Sequence, residues 1–214
     1  MPEHTLLEGR AAALRIDNLD TDQIMPKQFL RGIDKAGLAQ GLLYDLRFDA
    51  AGQARPDFVL NRPEHVGTSI LVGGANFGCG SSREHAVWGL LQYGIRAVIA
   101  PSFGEIFYSN AMGNRLLLVP LPTAQVEELM ALVESPDAPQ ITLDVRARTL
   151  HWPGREPLPF TISERHRQMF LQGSDVIGHS LGFRGEILDF AQAHWQRQPW
   201  LRDVARRMRG RIAG

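Results

Sequence analysis

The side chains best suited to chemistry lie in one short segment, NFGCGSSREHA at residues 76–86. The segment follows the apolar run SILVGG at residues 69–74, which predicts a strand, a glycine-rich loop and a helix in that order. Such an arrangement directs backbone N–H groups and a helix N-terminus toward one point, where an anion binds. Arg83 adds a planar fork of donors that suits a carboxylate or a phosphate. We therefore predict an anion-binding site in this loop.

The same loop also has a structural interpretation that needs no ligand. Ser81 to Glu84 match the S-x-x-E capping box, in which Ser81 binds the backbone N–H near Glu84 and Glu84 reaches back to the start of the helix. Arg83 favours the functional interpretation, because its donors suit an anionic ligand.

Other chemistries fit the loop less well. A dinucleotide fingerprint reads G-x-G-x-x-G, whereas GCGSSR has Arg83 where the third glycine belongs. A Walker loop is absent, because no Lys-Ser or Lys-Thr follows a glycine loop. Cys79 and His85 could form a nucleophile and a base. Their spacing across a helix start does not specify that they face each other, so we expect Cys79 to be a small loop residue and His85 to pack locally.

A second polar cluster, NLDTDQIMP at residues 18–26, follows the first apolar run. Asp20 and Asp22 lie two positions apart, so in an extended chain both face the same way. The commoner arrangement of such residues is a turn in which the carboxylates bond their own backbone. The sequence alone leaves both arrangements open.

Composition excludes several classes of partner and cofactor. The 214 residues include 23 Lys plus Arg and 23 Asp plus Glu, so no net positive field favours nucleic acid or an anionic membrane. The first residues lack a charged start followed by an apolar stretch, and nowhere do eighteen apolar residues run together, so we expect neither export nor membrane insertion. One cysteine excludes an internal disulfide framework. The seven histidines form no H-x-x-x-H pair, and one thiol cannot hold an iron–sulfur cluster. We expect a cytoplasmic protein with no metal of its own.

Apolar periodicity indicates strands that alternate with helices around the polar segments. The predicted strands are AAALRI (11–16), TSILV (68–72), RAVIAP (96–101) and RLLLVPL (115–121). Helices are predicted at residues 83–93, 123–134, 163–172 and 184–197, and a hairpin at residues 140–152 with its tip around 146–148. The pattern predicts an α/β fold, a mixed sheet covered by helices, in a single domain over residues 1–214.

Residues 196–214 form a basic C-terminal tail with six arginines and one acid, Asp203. Pro199 is expected to interrupt a helix there. The tail could dock on an acidic partner surface, or it could be solvated and frayed, as chain termini commonly are.

Three motifs follow one another along the chain: DTDQIMP (20–26), FGCGSSREHA (77–86) and AVIAPSFGEIFYSNAMGN (97–114). Together they resemble the small subunit of 3-isopropylmalate dehydratase, and the resemblance runs from about residue 5 to residue 195. That family is similar in turn to the swivel domain of aconitase, a layered β/β/α fold. The resemblance implies a heterodimer or a larger assembly, in which a separate large subunit carries a 4Fe–4S cluster and the two parts enclose the active site.

The resemblance also implies roles for particular residues. Ser81 is expected to abstract the substrate proton as an alkoxide, while Ser82 and Arg83 bind substrate carboxylates. Asp22 matches an active-site acid. Arg31, in FLRG, matches a second carboxylate-binding arginine.

The segment FLRGIDKAG at residues 29–37 is expected to set the substrate specificity. A 3-isopropylmalate enzyme accepts an isopropyl group where aconitase accepts an extra carboxylate, so apolar side chains should line that position. Phe29, Leu30 and Ile33 are the candidates. Arg31 must then point at a carboxylate that both substrates share, or extend into solvent along its aliphatic stem.

The resemblance thus implies a hydro-lyase that interconverts 2-isopropylmalate and 3-isopropylmalate in leucine biosynthesis and is active only with its large subunit. Two alternatives stay open. The first is the small subunit of a related hydro-lyase that acts on citraconate, 2,3-dimethylmalate or homoaconitate. The second is a free-standing module that binds a dicarboxylate or a phosphate. The Ser81 hydroxyl distinguishes a binding module from an enzyme. A binding module uses the backbone N–H groups of the loop and hardly needs the hydroxyl, whereas the enzyme needs it as a base.

Overall fold

A computed structural model describes residues 6–30 and 37–212 of the chain. The strands are β1 (Leu6–Gly9), β2 (Ala11–Leu14), β3 (Ile70–Gly73), β4 (Ala97–Ala100), β5 (Leu117–Pro120), β6 (Ile141–Asp144), β7 (Thr149–His151) and β8 (Leu158–Pro159). The helices are α1 (Thr21–Ile24), α2 (Leu38–Gly41), α3 (Tyr44–Arg47), α4 (His85–Tyr93), α5 (Glu105–Gly113), α6 (Thr123–Val133), α7 (Glu164–Gln172), α8 (Val176–Gly182), α9 (Arg184–Arg197) and α10 (Val204–Ile212). Arg31 and Ile33, both predicted to lie in the substrate site, fall outside the described residues.

The core is built on a parallel sheet with the strand order β2-β3-β4-β5. In its register Ile70 pairs with Ala11 on one side and with Ala97 on the other. Every residue of β2, β3 and β4 is buried. Strands covered on both faces are continuous apolar runs rather than alternating patterns. The four predicted strands are confirmed, each somewhat shorter than predicted.

A second, antiparallel sheet has the order β1-β6-β7-β8. Strands β6 and β7 confirm the hairpin predicted at residues 140–152, and the turn between them contains Arg148 with φ +60°. Buried and half-buried residues alternate along β6, so one of its faces packs on the core. The predicted α/β class is confirmed, although the parallel and antiparallel strands form two separate sheets rather than the one mixed sheet that was predicted.

The predicted helices are confirmed with small shifts at their ends. Helix α4 begins at His85 rather than at Arg83, while α6, α7 and α9 lie within one residue of the predicted bounds. Ser163 is the N-cap of α7, and its Oγ accepts a hydrogen bond from His166 N at 3.3 Å. Within residues 6–30 and 37–212, no helix is long and apolar enough to cross a membrane.

The chain divides into two compact units, residues 1–173 and 174–214. The first unit contains both sheets. The second contains α8, α9, a 3-10 turn at Pro199–Leu201 and α10, and none of its described side chains is buried. Pro199 lies between α9 and α10, which confirms the predicted interruption. The single domain over residues 1–214 and both interpretations of the basic tail stay predictions.

Phe77 joins the sheet core to the loop that follows β3. Its side chain is fully buried. The centroid of its ring lies 6.4 Å from that of Phe103 and 5.7 Å from that of Phe107. Both partners follow β4 in the chain, so the contacts between these rings hold two neighbouring segments together.

Replacing Phe77 by Ala should lower the free energy of unfolding by about 3–5 kcal/mol, because a large aromatic side chain leaves a cavity in a dense core. Urea denaturation measures this change. Val66→Ala is the control, since its side chain is 76% exposed and its loss should change stability by less than about 0.5 kcal/mol. An equal decrease in the free energy of unfolding of the two variants would show that the Phe77 ring does not stabilise the core.

Candidate active site

The loop after β3 lies between the segments that follow β2 and β4. In a parallel sheet the carboxyl ends of neighbouring strands share one edge, so their loops meet there. On the β2 side, Gly78 donates its backbone N–H to Leu19 O at 2.7 Å, and Thr21 donates its own to Cys79 O at 2.9 Å. These two bonds attach the start of α1 to the loop.

On the β4 side the loop is bonded in the same way. Phe77 donates its backbone N–H to Ser102 O at 3.0 Å and accepts from Gly104 N at 2.9 Å. Asn76 donates its backbone N–H to Ser102 Oγ at 2.8 Å. Hydrogen bonds on both flanks therefore fix the first half of the loop between its two neighbours.

Close packing explains two of the glycines in this region. At Gly78, which has φ +74°, an added Cβ atom would lie 2.3 Å from the ring of Phe107. At Gly104, an added Cβ would lie 2.6 Å from the carbonyl oxygen of Gly78 and 3.1 Å from Cys79 Cα. Residues that lack Cβ are what allow the two backbones to approach so closely.

The second half of the loop leaves a run of backbone donors open. From Gly80 to Ala86, no backbone N–H donates to an acceptor among the residues that the structure describes. The run ends in the first turn of α4, where the helix dipole adds a positive potential. Open N–H groups at a helix start are the arrangement that binds carboxylates and phosphates, which supports the predicted anion site.

The capping box predicted from Ser81 to Glu84 is wrong. Glu84 itself occupies the N-cap position of α4, and no side chain caps the helix. Its carboxylate instead accepts from Asn114 Nδ2 at 2.5 Å. Because α4 begins at His85, Ser81 lies before the helix, and its hydroxyl is left for other contacts.

The two aspartates of the second polar cluster have different partners. Asp20 is the N-cap of α1 and forms a capping box with Gln23, whose backbone N–H donates to Asp20 Oδ1 at 2.7 Å. Asp22, in the first turn of α1, forms an ion pair with Arg83, and Lys27 Nζ lies 3.9 Å from its other carboxylate oxygen. The segment is helical rather than extended, so the two carboxylates do not act as a matched pair.

Arg83 combines partial burial with open donors. Its side chain is 27% exposed, and its NH1 group donates to Asp22. Its Nε and NH2 groups have no acceptor within the described part of the chain. Asp22 therefore fixes the guanidinium from one side, and the remaining donors can bind a carboxylate.

Ser81 and Ser82 are both exposed. Ser81 Oγ lies 3.1 Å from Thr21 Oγ1, which also donates to Ser81 O at 3.1 Å. A cavity of about 580 Å³ lies beside β2, but none of residues 76–86 lines it. The two serine hydroxyls thus lie on the surface of this chain and remain open to water.

Asn110 and Asn114 contact the loop, although the sequence analysis gave them no role. Asn110 Nδ2 donates to Ser82 O at 3.5 Å, and Asn114 links the Glu84 carboxylate to the indole of Trp88, which donates to Asn114 Oδ1 at 3.2 Å. The two asparagines are four residues apart, Asn110 within α5 and Asn114 at its C-cap. Their spacing of four residues within the third motif was the one sequence feature that could have indicated that both contact the loop.

Cys79 and His85 each have local contacts. Cys79 Sγ donates to Asn18 O at 3.3 Å, and the ring centroid of His85 lies 4.8 Å from that of Trp88. Within the described residues, no group of three or more His, Cys, Asp or Glu side chains could hold a metal ion. A 4Fe–4S cluster needs several thiolates, so the single cysteine of this chain does not fit one.

Two titratable side chains lie near the segment after β4. The ring centroid of Tyr108 lies 6.2 Å from that of Phe103 and 6.3 Å from that of His166. Burial raises the pKa of Tyr108, whereas burial and the charge of Arg165 lower the pKa of His166. Both rings are therefore neutral at pH 7, and neither adds charge to the anion loop.

Comparison with known proteins places these features in a family. The family profile of the aconitase C-terminal domain matches residues 1–124. The 3-isopropylmalate dehydratase small subunit 1 of Chromobacterium violaceum is 60% identical over 213 residues, which cover 100% of both chains. The chain belongs to the family of 3-isopropylmalate dehydratase small subunits. The small subunits of Phenylobacterium zucineum (45% identity over 94% of this chain and 98% of that one) and Salmonella typhimurium (small subunit 2; 45% over 93% and 95%) agree.

A solved structure supports the same assignment. The crystal structure of 3-isopropylmalate dehydratase from Methanocaldococcus jannaschii matches with a TM-score of 0.60 and 28% identity, and the match covers 87% of this chain and 99% of that chain. The resemblance drawn from the three motifs is confirmed, as is the predicted fold class. As a small-subunit family member, the chain is related to dehydratases, which are hydro-lyases.

Replacing Gly104 by Ala should separate the loops after β3 and β4, because the new Cβ would meet the Gly78 carbonyl at 2.6 Å. Backbone cannot turn aside as a side chain can, so we expect a loss of about 1–3 kcal/mol in the free energy of unfolding. Gly185→Ala is the matched control, since open space surrounds this position in α9. Thermal denaturation compares the two variants, and a Gly104→Ala protein as stable as the control would contradict the close approach.

Proposed function

We propose that the chain is the small subunit of a 3-isopropylmalate dehydratase that interconverts 2-isopropylmalate and 3-isopropylmalate by dehydration and rehydration. One observation carries the proposal. Ser81 belongs to the run of residues from Gly80 to Ala86 whose backbone N–H groups are open within the described chain, and it precedes Arg83, which has open donors, by two residues. A reactive oxygen beside a carboxylate binder is what such an enzyme requires of this subunit.

The reaction makes two demands that these residues can meet. Dehydration breaks a C–H bond, whose electron pair forms a carbon–carbon double bond as hydroxide leaves the adjacent carbon. Rehydration reverses these steps with the two carbons exchanged. Ser81 takes the proton as an alkoxide. A serine hydroxyl is a poor base at neutral pH, so the neighbouring N–H groups and the positive charge of Arg83 must stabilise its anion.

The remaining residues hold the substrate in position. Ser82 bonds one substrate carboxylate and Arg83 grips a carboxylate with the Nε and NH2 donors that Asp22 does not use. Asp22 is the active-site acid of the family pattern, and its ion pair with Arg83 supports a role in orienting the guanidinium. Leu30 is half-buried against the core and contributes to the pocket for the isopropyl group. Arg31 stays a prediction as a second carboxylate binder, because it lies outside the described residues.

A large subunit is the partner that this proposal requires. Ser81 and Ser82 are exposed here, whereas an alkoxide base needs a site from which bulk water is excluded. The relatives are named small subunits, which supports a larger partner subunit that covers the two serines. The 4Fe–4S cluster that this chain does not fit belongs on that partner, where it supplies the Lewis acid for the departing hydroxyl.

The isolated chain should show no isomerase activity and bind no stoichiometric iron, since it contributes one thiol where a cluster needs several. Mixing it with a cluster-loaded large subunit should restore turnover. Spectrophotometry of the unsaturated intermediate and an iron assay measure both quantities, with the large subunit alone as the control. Full activity of this chain by itself would contradict the proposal.

Substitutions in the loop should separate catalysis from carboxylate binding. In the two-subunit enzyme, Ser81→Ala should lower kcat by a factor on the order of 10² to 10⁴ if Ser81 is the base. Arg83→Lys should also raise KM, because Lys lacks the planar fork. Ser180→Ala is the control, since that hydroxyl bonds Val176 O within α8. A fully active Ser81→Ala enzyme would remove Ser81 from the chemistry.

A further inference from the structure

Thr21 is a buried polar side chain that touches the proposed base. Its relative exposure is 1%, and Thr68 is the other polar or charged residue that is buried among the described residues. Thr21 is the first residue of α1, and its Oγ1 lies 3.1 Å from Ser81 Oγ and 3.1 Å from Ser81 O. A β-branched side chain has a restricted χ1 angle, and the two contacts with Ser81 hold the Thr21 hydroxyl in place. The hydroxyl of Thr21 is therefore a fixed point against which the Ser81 side chain is oriented.

The backbone around Thr21 is fixed to the same loop. Its N–H donates to Cys79 O at 2.9 Å, and Asp20 pairs with Cys79 in a parallel bridge. The capping box of Asp20 and Gln23 holds the start of α1. A shift of Ser81 relative to Thr21 would thus require the loop and the helix start to separate.

A threonine hydroxyl has one proton and two lone pairs, so it can serve the two protonation states of Ser81 differently. When Ser81 is a neutral alcohol, Thr21 donates to the Ser81 carbonyl and can accept the proton of the Ser81 hydroxyl. When Ser81 is an alkoxide, rotation of the Thr21 proton toward Ser81 Oγ supplies a donor to the anion. Hydrogen bonds to charged groups are stronger than those to neutral ones.

We propose that Thr21 is a positioning residue, which orients the Ser81 hydroxyl and donates to the Ser81 alkoxide. The proposal rests on the proposed function, in which Ser81 is the base. Thr21 does not touch the substrate. It acts through Ser81, and its loss should lower the rate of proton abstraction more than it weakens substrate binding.

The charged groups around Ser81 bear on any change with pH. On its own loop these are Arg83 and Glu84, and from α1 and the turn after it come Asp20, Asp22 and Lys27. Arg83 is paired with Asp22, and Asp20 caps α1. From α5 the group in contact with the loop beside Ser81 is the neutral amide of Asn110. Substitution of Thr21 by an uncharged residue leaves all of these charges in place.

The test compares Thr21→Val, Thr21→Ser and Thr68→Val in the two-subunit enzyme. Thr21→Val keeps the shape and removes the hydroxyl, so kcat should fall by a factor on the order of 10 to 100, the scale of one hydrogen bond to an anion. KM should change less than about twofold, and the acidic limb of the pH–rate profile should move to higher pH because the alkoxide loses a donor. Thr21→Ser should recover most of kcat.

Thr68→Val controls for the loss of a buried hydroxyl, because Thr68 Oγ1 donates to His65 O at 2.8 Å, outside the loop. It should affect the melting temperature but leave kcat unchanged. Thr21→Val with the kcat and pH profile of Thr68→Val would overturn the proposal. A Thr21→Ser variant with a kcat as low as that of Thr21→Val would also overturn the proposal. Serine keeps the hydroxyl and lacks only the methyl group, so such a result would mean that the shape of the side chain matters and its hydroxyl does not.

A double variant separates this inference from the proposed function. If Thr21 acts through Ser81, Thr21→Val should cause no further loss of kcat in a Ser81→Ala background. A further loss of the same size in that background would show an independent role and overturn the inference. If Ser81→Ala is impaired while Thr21→Val is fully active, the inference alone fails. If Ser81→Ala is fully active, the role of Ser81 as the base fails and this inference fails with it, whereas the absence of any turnover in the unsubstituted two-subunit enzyme would refute the proposed function itself.

Discussion

Parallel pairing of β2, β3 and β4 is the constraint on which the rest of the structure depends. It brings the carboxyl ends of three strands to one edge, so the segments that carry the three motifs meet although they are far apart in the chain. The bond from Gly78 N to Leu19 O on one side and the bond from Phe77 N to Ser102 O on the other then fix the central loop. Without that pairing the polar residues of the loop would have no common location.

The loop is rigid in its first half and open in its second, and this division suits the proposed chemistry. Phe77 is buried, and Gly78 packs against Phe107, so the backbone enters the site along a fixed path. From Gly80 onward the backbone N–H groups have no acceptor within the described chain, while Asp22 holds Arg83 from the side. The site therefore has hydrogen-bond donors that no acceptor of the described chain uses, and an anionic ligand can bind to them.

Local pattern was enough to predict the elements but not the contacts between them. Apolar runs were enough to predict all four parallel strands, because a strand that is buried on both faces consists almost entirely of apolar residues. The capping box at Ser81 failed because the helix starts at His85, and the Glu84 carboxylate bonds Asn114, thirty positions along the chain, instead of the start of its own helix. For the same reason the supporting asparagines and the contact of Thr21 with Ser81 were missed, since they join residues at least 26 positions apart.

The position of Ser81 relative to the substrate is tested most directly by a structure of the two-subunit enzyme with 3-isopropylmalate bound. We expect Ser81 Oγ to lie about 3–3.5 Å from the carbon whose hydrogen is removed, next to the carbon that bears the hydroxyl. We also expect Arg83 to keep its bond to Asp22 in that complex. Its Nε and NH2 groups should donate to a substrate carboxylate. A bound substrate with Ser81 Oγ out of van der Waals contact with every one of its carbon atoms would contradict the central claim.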